Sequence, residues 1–256
     1  MDELRRQSGS EHTPARVNLG ITGVSLPTQA LLEFQMAQAQ ACDAVQDELA
    51  TVSLLRELAE LRGNSTSLGW APPATLLLHS AARDREIYLR RPDLGRRLDQ
   101  AHQELPASPC DLVIVLADGL SALAVNRHAL PLLQELLLLF AKDSRSWRVG
   151  PFAVVCQGRV AIGDEIGERL QAEMVLMLIG ERPGLSAYDS LGAYLTWHPQ
   201  VGRTDAERNC ISNIRPEGLG YVAAAKQIHE CMVAAAKLRL TGVDPRRQMA
   251  LGEGVP

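Results

Sequence analysis

The chain has 256 residues, 46% of them hydrophobic and 22% charged, with a formal net charge of -4. That length allows one large domain or two smaller ones, and that balance argues against disorder as the default state. Net negative charge supplies no field to gather nucleic acid, and the five cysteines, at 42, 110, 156, 210 and 231, form no Cys-x-x-Cys pair at zinc spacing.

In chain order, the first fifteen residues, MDELRRQSGSEHTPA, carry no hydrophobic period and read as a polar, flexible lead. A helix is predicted from Pro27, because Leu31, Phe34, Ala41, Val45 and Leu49 recur at helical spacing. The loop RGNSTSLGWAPPA then leads to a second helical region at Thr75 to Leu89. YLRRPDLGRRLDQ restarts a helix, with Pro92 in its first turn. Asp93 there reads either as a group facing the positive end of the helix dipole or as an interface residue. Two prolines and a serine in ELPASPCD, residues 104–111, mark a linker, so residues 16–105 are expected to form a helical N-terminal domain and 106–256 an α/β domain.

CDLVIVLADGL is an apolar run of strand length, and Ser121 can cap the helix behind it. ALPLLQELLLLFA in that helix is interrupted by Gln134 and Glu135 and is too short to cross a bilayer, so no membrane role is expected. GPFAVVCQGRV, AEMVLMLIGERPG and LGAYLTWHP supply three more strands, with a short helix near Asp164 to Leu170. A last helix runs from about Tyr221 to Leu240, with Tyr221, Ala225, Ile228, Met232 and Ala235 on one face. Apolar strands alternating with helices predict an α/β fold: a helical N-terminal domain followed by a Rossmann-like C-terminal domain with a mostly parallel sheet.

Ligands of such sheets bind beyond the carboxyl ends of the strands, which brings ADG at 117–119, QGRV at 157–160 and GERPG at 180–184 to one rim. Glu181 lies there, read either as a surface ion-pair partner or as a ligand acceptor. Asp118 and Glu181 could act as an acid and base pair, but no nucleophile accompanies them. GLGYVA at 218–223 matches a dinucleotide fingerprint without a strand directly before it, and structural glycines explain it better. P-loop, Gly-x-Ser-x-Gly and His-Glu-x-x-His motifs are absent, and the six histidines are scattered. No metal site is expected. The charged and amide-rich run GRTDAERNCISNIRPEGLGY, 202–221, reads as a binding or interface loop, with Cys210 a small packing residue or a weak donor to a ligand amide.

YLRRPDLGRRL, DGLSA, GRV, LIGERPGL, DSLGAYL and DAERNCISNI, in that order, resemble the small subunit of ethanolamine ammonia-lyase from about Pro27 to the final helix. The resemblance implies an adenosylcobalamin-dependent lyase that converts ethanolamine to acetaldehyde and ammonia by radical chemistry. It also implies a hetero-oligomer in which a large barrel subunit holds most of the substrate and the small subunit, inactive alone, helps bind and shield the cobalamin at their interface. The family's cobalamin-contacting positions carry over to Val160, Glu181 and Cys210, with no catalytic residue assigned to this chain. Asp-x-His-x-x-Gly is absent, so the lower ligand of cobalt is expected to remain the cofactor's own base. Cysteine usage and the absence of a signal peptide suggest a cytoplasmic protein. The lead is short where some members carry an extension connected with bacterial microcompartments, which leaves packaging open. Two alternatives are a stand-alone α/β module binding a nucleotide or phosphate at the same rim and a purely structural spacer.

Overall fold

The computed structural model describes residues 27–65, 75–102 and 104–242; the polar lead and most of the Gly-, Ser- and Pro-rich loop lie outside them. Helix α1 (Thr28–Gln46) is followed by α2 (Thr51–Ser65). The stripe expected through α1 is only half realised. Its buried positions are Ala37 and Ala44, small side chains that allow close approach, while Leu31, Leu32, Phe34 and Met36 are exposed. The α1–α2 turn is held by one amide side chain: Asn126 accepts from Ala50 N at 3.0 Å and donates to Glu48 O at 3.0 Å.

Strand β1 (Leu76–His79) falls in the stretch expected to be helical and pairs in parallel with β3, from Leu76 opposite Ala153 to His79 opposite Cys156. Four residues are too few to show a period, and helical spacing begins only with α3 (Arg85–Arg90). The Asp84 carboxylate caps α3, accepting from Ile87 N at 2.8 Å. The N-terminal region thus supplies a sheet strand as well as helices. After α3 the chain makes two short 3-10 turns, Leu94–Arg96 and Gln100–His102, rather than a renewed α-helix. Asp93 makes no capping bond there; its carboxylate accepts from Arg91 at 2.9 and 2.7 Å.

The remaining elements are β2 (Cys110–Ala117), α4 (Ala122–Lys142), β3 (Val149–Cys156), α5 (Ile162–Leu170), β4 (Ala172–Gly180), β5 (Leu191–Trp197), β6 (Arg208–Ile214) and α6 (Tyr221–Leu238). Ser121 caps α4 as expected, accepting from Ala124 N at 3.4 Å. The strand order is β1-β3-β2-β4-β5-β6, parallel through β4 and antiparallel for β4–β5 and β5–β6. The sheet is therefore mixed, with three of its five pairings parallel as expected and an antiparallel margin that the sequence did not reveal. Its antiparallel margin follows from the short connections after β4 and β5, which leave no room for crossover helices. β6 lies inside the run expected to be an irregular loop; as an edge strand with one open face, it needs few apolar residues.

Alternation along the strands sends two apolar sets to opposite faces. On one, Ile114, Leu176 and Leu195 pack beneath α2, α4 and α6, against Leu54, Leu132, Leu136, Ile228 and Met232. On the other, Val113, Val155 and Val175 meet Ile162, Ile166 and Leu170 of α5. Each fully buried aliphatic side chain in these layers contributes about 1.5–3 kcal/mol of transfer free energy. Among the described residues α5 is the one α-helix assigned to this second cluster, and past it the same face of β5 and β6 is open: Tyr194 is half-buried, and Cys210 and Ser212 are exposed.

Candidate functional site: the open face of the antiparallel margin

The rim begins with a seal. Asp118, at the end of β2, accepts from its own turn at Gly119 N (2.9 Å) and from Gln157 N (2.7 Å) and Gly158 N (2.9 Å) beyond β3. Burial raises its pKa, and these amide donors act against that rise. With its oxygens engaged by three backbone amides and almost no exposure, Asp118 locks two strand ends together and is not placed to pair with Glu181 as acid and base. Beside it, Gly119 has φ +58°, and a Cβ there would lie 2.2 Å from Gly180 O. A side chain on Gly180 would meet Ser121 O at 2.0 Å, so the β2 turn and the end of β4 cross at a distance that only glycine permits.

Glu181 follows directly. Its backbone N–H donates to Ser190 O at 3.0 Å, continuing the β4–β5 pairing, and its carboxylate accepts from Ser190 Oγ and from Asn213 N (3.2 Å). Among the described residues it forms no ion pair with arginine, contrary to the simple surface-pair reading. Its side chain borders Gly192: a Cβ on that glycine would stand 3.0 Å from Glu181 Oε1.

Tyr194 and Cys210 are directly opposite in the β5–β6 register. Cys210 is exposed, so it is not the small packing residue considered from the sequence, and it lies within strand β6. Loss of hydration raises the thiol pKa, while a side-chain hydrogen bond with Tyr194 opposes the rise. The Tyr194 phenol is pushed up as well, chiefly by burial. At neutral pH both groups keep their protons and can donate or accept weakly.

Val160 lies just before α5, packed against the same apolar cluster as Tyr194, and both line a cavity of about 590 Å³. Val160, Tyr194, Cys210 and Glu181 thus form one continuous border, although they come from the β3–α5 loop, β5, β6 and the end of β4. The margin is anchored by a buried pair: Arg208 of β6 donates to both Asp164 oxygens of α5 at 2.6 Å and to Thr196 Oγ1 at 2.8 Å. Tyr194 was missed from the sequence, although its place in the alternation of LGAYLTW was a usable signal. Arg159, also missed, stood beside Val160 in GRV. The GLGYVA segment does follow a strand, β6, but Gly218 forms a turn against Asn213, and among the described residues no group of three or more His, Cys, Asp or Glu is placed to hold a metal ion.

An α/β protein with helices on both faces of a mixed sheet and a half-covered, polar antiparallel margin is the class that this geometry defines. A family model described as ethanolamine ammonia-lyase light chain matches residues 4–246. The chain is 54% identical over 249 residues to the ethanolamine ammonia-lyase small subunit of Pseudomonas fluorescens, covering 94% of this chain and 85% of that protein. Against the small subunits of Ralstonia nicotianae and Xanthomonas campestris, identity is 52% and 51% over 238 residues, covering 90% of this chain and 84% and 83% of theirs. The chain belongs to the ethanolamine ammonia-lyase small-subunit family. No described helix is long and apolar enough to cross a membrane.

Proposed function

We propose that this chain, joined to an ethanolamine ammonia-lyase large subunit, binds adenosylcobalamin along the open β5–β6 face and shields it at the subunit interface. The observation that carries the reading is the continuity of Val160, Tyr194, Cys210 and Glu181 along one uncovered border. When bound, adenosylcobalamin supplies a weak cobalt–carbon bond for radical chemistry, and this chain's share is to hold and cover the group. Glu181, fixed by Ser190 Oγ and Asn213 N, retains acceptor capacity for the amide side chains around a corrin ring. The protonated Cys210 and Tyr194 give a neutral, polarizable floor, and Val160 an apolar edge. Ethanolamine is held mainly by the large subunit, in a cytoplasmic hetero-oligomer, and this chain has no activity alone.

The test is cobalamin-dependent acetaldehyde release from ethanolamine by this chain, by a cognate large subunit, and by the two mixed. Activity only in the mixture is expected. A large subunit competent with another small subunit but inactive with this one would reject the assignment in favour of a stand-alone α/β binding module.

A further inference from the structure

Four arginines, Arg96, Arg97, Arg159 and Arg203, line the cavity beside Val160. Two are neutralised locally: Arg97 donates to Glu165 at 2.9 Å, and Arg203 pairs with Glu207. Asp205 also borders the cavity, but its nearest cation is Arg208, at 3.4 Å. Arg96 and Arg159 have no carboxylate partner among the described residues.

Arg159 is held rather than free. Its backbone N–H donates to Gly95 O at 2.7 Å, and its stem lies so close to Gly95 that a Cβ there would be 2.9 Å from Arg159 Cγ. Its guanidinium stacks on Tyr88, 4.4 Å from the ring centroid. Tyr88 is fully buried and pinned by a bond from its hydroxyl to Gly158 O at 3.1 Å. Arg159 Nε is buried without a hydrogen-bond partner. A desolvated, unsatisfied charged donor is unfavourable, and an anion at this cavity wall would compensate the guanidinium that carries it. The planar donor forks of two uncompensated arginines match a tetrahedral oxyanion.

We propose that Arg96 and Arg159 form a subsite for a phosphate-type anion. This inference deepens the cobalamin reading and rests on it for the identity of the ligand: cobalamin carries one phosphodiester, in its nucleotide loop, and Arg159 immediately precedes Val160 at the proposed cofactor border. Arg97 and Arg203 strengthen the positive field.

The test uses the full-length chain assembled with its large subunit and reads binding rather than turnover. Equilibrium dialysis, with bound corrinoid read by absorbance, compares cobinamide with cobinamide phosphate, which differ in the phosphoryl group alone; inorganic phosphate is titrated separately by its effect on Tm. In the unaltered complex the phosphorylated corrinoid should bind about tenfold more tightly, the order expected for charge-assisted contacts. Arg96→Gln and Arg159→Gln should each erase most of that preference while leaving cobinamide affinity within about twofold. Arg96 is exposed, so its variant reports even if Arg159→Gln fails to fold. An unchanged preference in Arg96→Gln, or equal losses for both corrinoids, would overturn the subsite. If neither corrinoid binds the unaltered complex, the cobalamin reading fails. The anion site then stands only if inorganic phosphate raises the Tm of the unaltered complex and not that of Arg96→Gln, and falls otherwise.

Discussion

Glu181 sits where a buried strand meets solvent, and two donors orient its carboxylate without neutralising it. Glu181→Gln keeps an acceptor for Ser190 and Asn213 but removes the charge. It should raise the cobalamin concentration for half-maximal activity about tenfold, while Tm changes by no more than about 2 °C; such a factor corresponds to one charged hydrogen bond. A cofactor titration on the assembled enzyme decides it, and superimposable curves would remove Glu181 from the site. Arg208 illustrates the opposite case, a charge with no outlet. Its guanidinium and the Asp164 carboxylate are each 1% exposed. Arg208→Met should cost about 3–5 kcal/mol in urea denaturation because it strands Asp164, whereas adding Asp164→Leu should restore part of the loss. An additive double variant would mean that the two charges are not coupled. Glu181 was legible from the sequence because a charged pair after an apolar strand is conspicuous. Arg208 was not, since its partner lies on α5, 44 residues earlier in the chain.

Asp143, at the end of α4, ties that helix to α6. Its carboxylate accepts from Arg145 N at 3.0 Å, from the Trp147 indole at 2.7 Å and from His229 Nε2 at 2.7 Å, and these bonds, the Arg145 amide first, hold its pKa down to about 2. A carboxyl depressed below its unfolded value of about 3.9 stabilises the fold above that pH and loses the contribution as pH falls toward about 2. Asp143→Asn should therefore lower stability at pH 7 by about 1 kcal/mol and flatten the acid dependence between pH 4 and 2, as measured by chemical denaturation across that range. Retention of the full acid slope would place its origin elsewhere. Gly180 acts on element placement: Gly180→Ala forces a Cβ into Ser121 O, separating the end of β4 from the β2 turn, and should destabilise by several kcal/mol. Long apolar strands and the face of α6 were readable because their periods are long. β1, with four residues, and β6, with a polar sequence and one open face, had too little pattern to declare themselves.

Across the whole molecule, the border proposed for the cofactor is open on one side and assembled from four separate segments. Cobalamin placed there would remain solvent-accessible until a second surface closes over it. This chain with adenosylcobalamin alone should consequently release no acetaldehyde, and its affinity for the cofactor should rise at least tenfold when the large subunit is added. Equal affinity with and without the partner would argue against an interface site. The sequence by itself determined the α/β class, the order of the long elements and the family resemblance, because hydrophobic period and contiguous motifs are local properties of a chain. Tertiary structure decided the mixed sheet, the seal made by Asp118, the joining of Val160 to Cys210 through Tyr194, and the stacking of Arg159 on Tyr88 with its Nε unsatisfied. Those features depend on which strands become neighbours and which helix leaves a face uncovered, and pairing between distant segments leaves no periodic trace in either one.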